Sequence, residues 1–338
     1  MSILVTGGAG YIGSHTVLEL IEAGYDVLVY DNLSNSSKLS LERVSRLTGK
    51  KIPFIDGDIR DENKLNSLFE SNMIDAVIHF AGLKSVGESV DRPLFYYNNN
   101  VLGSLQLFKV MQNFNVKKLV FSSSATVYGE PISVPLSESM PVGKPTNPYG
   151  MSKLMIENII SDLCRSDQEF SAAVLRYFNP VGAHESGLIG EDPFGIPNNL
   201  MPFITQAALG EQKVLSVYGS DYPTTDGTGV RDYIHVVDLA KGHLAALEKC
   251  MEEPKHLVVN LGTGIGYSVL EVIKTFQKVN NVKIPYQMTA RRAGDVASCY
   301  ADATYADTYL NWSAKRTLGD MCVDSWRWQK QNPKGYEQ

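Results

Sequence analysis

Tyr149-Gly150-Met151-Ser152-Lys153 sets a phenol and an ammonium four residues apart. On a helix that spacing puts both side chains on one face. A cation beside a phenol stabilises the phenolate and draws the tyrosine pKa down toward the range of a general base. A chain with 17 tyrosines offers one such spacing by chance, so the pair gains its weight from a second feature. Ser122-Ser123-Ser124 follow directly on the apolar run Leu119-Val120-Phe121, one strand-to-helix step before the tyrosine. A hydroxyl there can bond the same substrate oxygen as the tyrosine; the alternative is a polar loop whose hydroxyls cap a helix.

Gly7-Gly8-Ala9-Gly10-Tyr11-Ile12-Gly13 follows the first apolar run and opens a helical pattern, with the glycines that matter at Gly7, Gly10 and Gly13. A loop of this kind lets backbone approach a pyrophosphate whose charge then sits at the positive end of the helix. A plain tight turn is the competing reading, weakened by the position between a strand and a helix. Asp31 ends the second apolar run, within Asp31-Asn32-Leu33-Ser34. A carboxylate there accepts hydrogen bonds from a ribose 2'-hydroxyl and repels a 2'-phosphate, which favours NAD over NADP. Helix capping is the other role open to it. Asp58-Ile59, after the third apolar run, is a candidate adenine contact.

The elements that must position these groups are legible as short apolar runs separated by helix-length segments: Ile3-Leu4-Val5, Val27-Leu28-Val29-Tyr30, Ala76-Val77-Ile78-His79-Phe80 and Leu119-Val120-Phe121. Continuous rather than alternating apolar runs predict strands covered on both faces. The expected fold is therefore α/β: a Rossmann-type, doubly wound parallel sheet with a smaller C-terminal α/β substrate lobe. After Arg176-Tyr177-Phe178 the texture changes to Gly, Pro and Asn clusters between Asn179 and Pro202, which read as loops. The expected division is residues 1–180 for NAD and 181–338 for substrate. The stretch Val230 to Leu261 regains helix and strand character, leaving open a return to the first lobe.

At 338 residues the chain is long enough for two lobes and a sizeable core. The net charge of -6 includes no long basic run, which argues against nucleic acid or an anionic membrane as partner. Cys164, Cys250, Cys299 and Cys322 are far apart and form no CxxC pair, so neither a metal site nor a redox dithiol is expected. The opening Met-Ser-Ile-Leu-Val-Thr lacks the features of a signal peptide, and no apolar stretch approaches membrane-spanning length. A cytoplasmic, unprocessed protein is expected.

Gly7-x-x-Gly10-x-x-Gly13, Ser124 and Tyr149-x-x-x-Lys153 together resemble the extended short-chain dehydrogenase/reductase family. Within it, the chain is similar from end to end to the bacterial UDP-glucose (UDP-galactose) 4-epimerases. The strings that carry this are Phe80-Ala81-Gly82-Leu83-Lys84, Ser122-Ser123-Ser124-Ala125-Thr126-Val127-Tyr128-Gly129, Arg176-Tyr177-Phe178-Asn179-Pro180-Val181-Gly182-Ala183 and Arg231-Asp232-Tyr233-Ile234-His235. The resemblance implies tightly held NAD, Tyr149 as base, Lys153 on the nicotinamide ribose, and Ser124 assisting at the sugar O4. It implies Phe80, Ala81, Lys84, Asn99 and Phe178 near the cofactor, and a homodimer packed through helices of the first lobe. Arg231 and Arg292 are the candidates for the UDP pyrophosphate, since guanidinium forks suit phosphate oxygens. Asn179, Asn199, Leu200, Tyr233 and Asp295 lie in motifs that, by resemblance, line the UDP-sugar site.

Two departures matter. Where relatives dedicated to glucose and galactose commonly carry tyrosine, this chain has Cys299. A small residue there implies room for a 2-acetamido group, and hence UDP-GlcNAc and UDP-GalNAc as further substrates; a merely small core residue is the alternative. A 4,6-dehydratase, the nearest rival, needs an acid/base pair just after the serines, where this chain holds Ala125 and Thr126. A catalytically silent NAD sensor on the same fold is the rival of another class, disfavoured because Tyr149 and Lys153 are both kept.

Overall fold

The structure, a computed structural model, describes residues 1–195, 197, 199–292 and 294–336. It divides into two compact units, the first made of Met1–Glu130, Pro141–Tyr177 and Ala240–Val259, the second of Pro131–Met140, Phe178–Leu239 and Asn260–Gln338. In chain order the strands are β1 (Ser2–Thr6), β2 (Asp26–Asp31), β3 (Phe54–Asp56), β4 (Ala76–His79), β5 (Lys118–Ser124), β6 (Ser171–Tyr177) and β7 (Asn179–Val181). They continue with β8 (Leu215–Tyr218), β9 (Val230–His235), β10 (His256–Leu261), β11 (Gly266–Ser268), β12 (Tyr286–Thr289) and β13 (Ser298–Cys299).

The first unit is built on a seven-stranded sheet in the order β10-β6-β5-β4-β1-β2-β3. Every pairing from β3 across to β6 is parallel. Ile3, Leu4 and Val5 are all fully buried, so consecutive residues pointing to opposite faces both find cover. On one face Leu4, Val77, Leu119 and Phe121 pack with Leu65, Leu107 and Ile156, which come from the helices Glu62–Ser71, Gly103–Asn113 and Pro148–Ser166. The strand order reverses between β1 and β4, where Thr6 lies in register with His79. Loops leaving the carboxyl ends of strands at such a reversal form the natural ligand crevice of this fold class.

In the second unit β9 is central, flanked by parallel β7 and β13 and antiparallel β11. A separate parallel pair joins β8 to β12. The helices Leu200–Leu209, Val269–Asn280 and Leu318–Gln331 cover these strands through Ile204, Phe276, Met321 and neighbours. Among the described residues no helix is long and apolar enough to cross a membrane.

Two expectations are corrected. The serines do not follow a strand; β5 runs through them, and Ser122, Ser123 and Ser124 pair in register with Leu175, Arg176 and Tyr177. Polar side chains occur in this buried strand because partners from neighbouring elements satisfy each hydroxyl. The stretch after Phe178 is not all loop either: Asn179–Val181 forms β7 against Tyr233–His235. A three-residue strand is too short to show a hydrophobic period, so composition masked it.

Candidate active site

The glycines act through three different constraints. Gly7 turns with φ +71°, and a Cβ on it would stand 2.6 Å from the Ala81 backbone nitrogen, so the loops after β1 and β4 touch only because this residue has no side chain. Gly13 lets the helix Tyr11–Glu22 close on the Gly7 carbonyl, which a Cβ would meet at 2.3 Å. Gly10 is the N-cap residue, and no side chain caps the helix and no acid occupies its first turn. Ser37, Asp61, Ser85 and Asn147 do cap other helices of the unit. An N-terminus left in this state offers backbone N–H groups and a positive dipole end to a phosphate. Tyr11 and Ile12 form the first turn; the Tyr11 ring stands edge-on to His15.

Asp31 is buried and its carboxylate already serves the loop: Ala9 N–H donates at 3.0 Å, Leu33 N–H at 2.9 Å and Ser36 Oγ at 2.9 Å. Two oxygens hold about four acceptor positions, so one is left for a ribose hydroxyl. Burial raises the Asp31 carboxyl above its usual range, opposed by these donors. Asn32 donates to Asp58, whose carboxyl the Arg60 side chain holds down at about 2. Ile59 is a core residue, leaving its backbone as the part available to a ligand. Phe80 lies with its ring 4.7 Å from that of His243, Lys84 is exposed, and Asn99 is buried in a six-residue π-helix, Tyr97–Leu102. Such π turns recur at functional sites. These residues suit a dinucleotide: a capless helix start for its pyrophosphate, a partly satisfied carboxylate for its ribose.

Ser124 ends β5, Tyr149 and Lys153 stand on the first turns of the helix Pro148–Ser166, and Ser124 and Tyr149 share a hydrogen bond. Ser124 Oγ accepts from the Thr126 N–H at 3.2 Å and from Thr126 Oγ1 at 3.0 Å. With both lone pairs used, its O–H is what remains to give, and a hydrogen bond to Tyr149 works against the rise that burial imposes on that phenol. The serine therefore both caps the following turn and touches Tyr149. The lowered phenol pKa expected from Lys153 is not found. Burial of Tyr149 dominates and raises it, while Lys153, brought down to about 8 by its own burial, donates to the Ser122 carbonyl at 2.6 Å. Desolvation disfavours the charged form of each.

In the second unit β9 presents Arg231 and Tyr233. Arg231 donates to the carbonyls of Val230 and Val296 at 2.9 and 2.8 Å and reaches Asp295 at 3.5 Å. Cys299 pairs with Arg231 in register, and burial pushes its thiol up to about 11, so it is neutral. Arg292, joined to Asp295 by a backbone hydrogen bond, lies 3.9 Å over the Tyr218 ring. Asn179 pairs with Tyr233, whose phenol burial raises to about 12. Asn199 precedes the helix Leu200–Leu209 and donates to Glu191 at 2.6 Å, and Leu200 packs on the unit's core. Phe178, buried, begins this unit's second segment.

Several participants escaped the sequence. Tyr177 bonds Ser122 through its hydroxyl and lies close enough to Tyr149 to feel its charge. Glu157, one turn beyond Lys153, receives Ser123 and the Arg176 guanidinium. Glu157 continues the Tyr149, Lys153 face at the same four-residue step, which is the signal that could have found it. Tyr218 beneath Arg292 had no such signal.

The family described as "NAD dependent epimerase/dehydratase family" matches residues 3–262. The UDP-glucose 4-epimerase of Pasteurella multocida is 61% identical over 336 residues, covering 99% of each chain. A crystal structure of UDP-glucose 4-epimerase from Bifidobacterium longum in complex with NAD+ and UDP is 56% identical and superposes with a TM-score of 0.96 over 99% of this chain and 100% of that one. The UDP-Glc/GlcNAc 4-epimerase of Campylobacter jejuni is 38% identical with a TM-score of 0.85, covering 98% and 99%.

Proposed function

This chain belongs to the NAD dependent epimerase/dehydratase family, and on that premise we propose that it inverts C4 of UDP-hexoses, interconverting UDP-glucose and UDP-galactose. The observation that carries the reading is the buried Ser124–Tyr149–Lys153 group at the carboxyl end of β5, in the same unit as a glycine loop suited to a dinucleotide. The Pasteurella relative, identical at 61% of positions, bears that activity in its name.

Bound NAD would supply the hydride acceptor and donor at C4 that inversion through a 4-keto sugar requires. Gly7, Gly10, Gly13 and Asp31 would hold it, with Phe80, Ala81, Lys84, Asn99 and Phe178 beside it. Tyr149 removes the O4 proton and gives it back, so no proton is consumed over the cycle. Ser124, donating to the phenolate, stabilises the form that accepts the proton. Lys153 keeps an ammonium beside this chemistry, with the Ser122 carbonyl fixing its position. Arg231 and Arg292 grip the UDP pyrophosphate, with Asn179, Asn199, Leu200, Tyr233 and Asp295 around the nucleotide. Ala125 and Thr126 form the turn after Ser124 and bring no carboxyl group, which disfavours dehydration.

Two finer assignments complete the proposal. The neutral, small Cys299 leaves room for a 2-acetamido group, so UDP-GlcNAc and UDP-GalNAc are further substrates; the Campylobacter neighbour's name joins both sugar types. The chain acts as a cytoplasmic homodimer, which the exposed Val86, Val90, Leu94, Leu102, Leu105 and Met155 on first-unit helices support. The test is to incubate the protein with UDP-galactose and UDP-GalNAc separately and resolve the products. Both are converted to their C4 epimers on this account. Cys299→Tyr then suppresses the N-acetyl reaction and spares the plain one; equal effects on both would remove Cys299 from the pocket.

A further inference from the structure

Asp232, next to Arg231 on β9, is fully buried. Its carboxylate accepts four hydrogen bonds: from Thr263 N–H and Oγ1 on one oxygen, at 2.9 and 2.7 Å, and from Gly264 N–H and Ala301 N–H on the other, at 3.0 and 3.1 Å. Every acceptor position of the group is filled. Gly262 packs so tightly here that a Cβ on it would stand 2.5 Å from Asp232 Oδ2 and 2.6 Å from the Ala301 side chain.

Of the residues so held, Ala301 belongs to the segment that carries Cys299, and Thr263 and Gly264 to the turn after β10. β13 is only two residues long, too short to fix its own place by ladder bonds. Instead, the chain from 296 to 302 is tied at successive points. Arg231 Nη1 takes the Val296 carbonyl at 2.8 Å, and Val230 N–H takes that of Ala297 at 2.8 Å. Leu136 N–H takes the Tyr300 carbonyl at 2.9 Å, Asp232 takes the Ala301 N–H, and the Leu136 carbonyl takes the Asp302 N–H at 2.7 Å. Adjacent residues of β9, pointing to opposite faces, thus hold the two ends of one segment: Arg231 its entry, Asp232 its exit.

We propose that Asp232 is a positioning residue for the sugar end of the site, setting where position 299 stands and so how much room the sugar has. This rests on the reading of Cys299 given above. An aspartate is required because both oxygens receive N–H donors; an asparagine would turn an NH2 toward Ala301 and Gly264 or toward Thr263 and leave a buried N–H without an acceptor. Released at its exit, the segment shifts, and a side chain at 299 meets a different space.

A double-mutant cycle tests this. Parent, Asp232→Asn, Cys299→Tyr and the double variant are compared for UDP-galactose affinity by calorimetry, for kcat/KM with UDP-galactose and UDP-GalNAc, and for bound NAD. Coupling is the expected result: the effect of Cys299→Tyr on UDP-galactose changes by about fivefold or more once Asp232 is replaced, as contacting sites do, with NAD content unchanged. Thr263→Val, which removes the hydroxyl donor to Asp232 and the acceptor of the Ile265 N–H but spares the backbone bonds to Asp232, shows smaller coupling of the same sign and stands in should Asp232→Asn not fold. Additive effects within about twofold, the behaviour of independent sites, would overturn the proposal. A merely structural role predicts that additivity together with a lowered Tm. Should no variant turn over UDP-GalNAc, the size reading of Cys299 falls, while the cycle on UDP-galactose still decides the role of Asp232.

Discussion

At the scale of single residues, the proposed chemistry depends on two titrating groups whose environments oppose their active forms. Tyr149 must be a phenolate and Lys153 an ammonium, yet burial raises the first and brings the second to about 8. As pH rises, kcat/KM therefore gains from phenolate formation and loses as Lys153 gives up its proton. The expected profile bends near pH 8, and the bend belongs to the interacting pair. Lys153→Met should remove that bend and lower kcat by about a hundredfold or more, as loss of acid–base support does; a bend that persists would assign it elsewhere. The spacing of Tyr149 and Lys153 was legible because a helix converts four residues into one face. The carbonyl of Ser122 that holds the ammonium was not, because every residue carries a carbonyl and no residue type marks the one that is used. The same holds for Asp31: its type and place were visible, but not that Ala9, Leu33 and Ser36 occupy most of its acceptor positions.

At the scale of elements, the helix Pro148–Ser166 must keep its place against β5 and β6. Glu157 and Arg176, both buried, join it to β6 through bonds of 3.0 and 2.6 Å, and Ser123 joins it to β5. Removing one partner strands a buried charge, so Arg176→Met should destabilise the protein by about 3–5 kcal/mol in urea unfolding, whereas Glu157→Gln with Arg176→Met together should recover part of that loss. Equal destabilisation by the single and double variants would show that the pair does not act as one unit. The central strands were readable from continuous apolar runs because both faces of the sheet are covered. β7, β13 and the serine end of β5 were not, since short or polar strands are specified by their neighbours rather than by a period of their own. The π turn that buries Asn99 and Asn100 likewise follows from packing, not from a local pattern.

At the scale of the whole molecule, the proposed dimer would cover the exposed apolar residues on first-unit helices, among them Leu94, Leu102 and Leu105. Leu102→Glu should shift the protein from dimer to monomer in sedimentation velocity, and a parent that already sediments as a monomer would contradict the assembly. In the proposed reaction the arginines of the second unit would meet an anionic nucleotide locally, so the net charge of -6 need not hinder binding. The most direct test of the account is a single-turnover comparison of the NAD-loaded parent and Tyr149→Phe mixed with UDP-galactose, following reduced-nicotinamide absorbance and epimer formation together. The account predicts transient absorbance and UDP-glucose from the parent, with both slowed by about a thousandfold or more in the variant, near the upper range for a lost general base. Epimer forming at the parental rate without Tyr149 would contradict it.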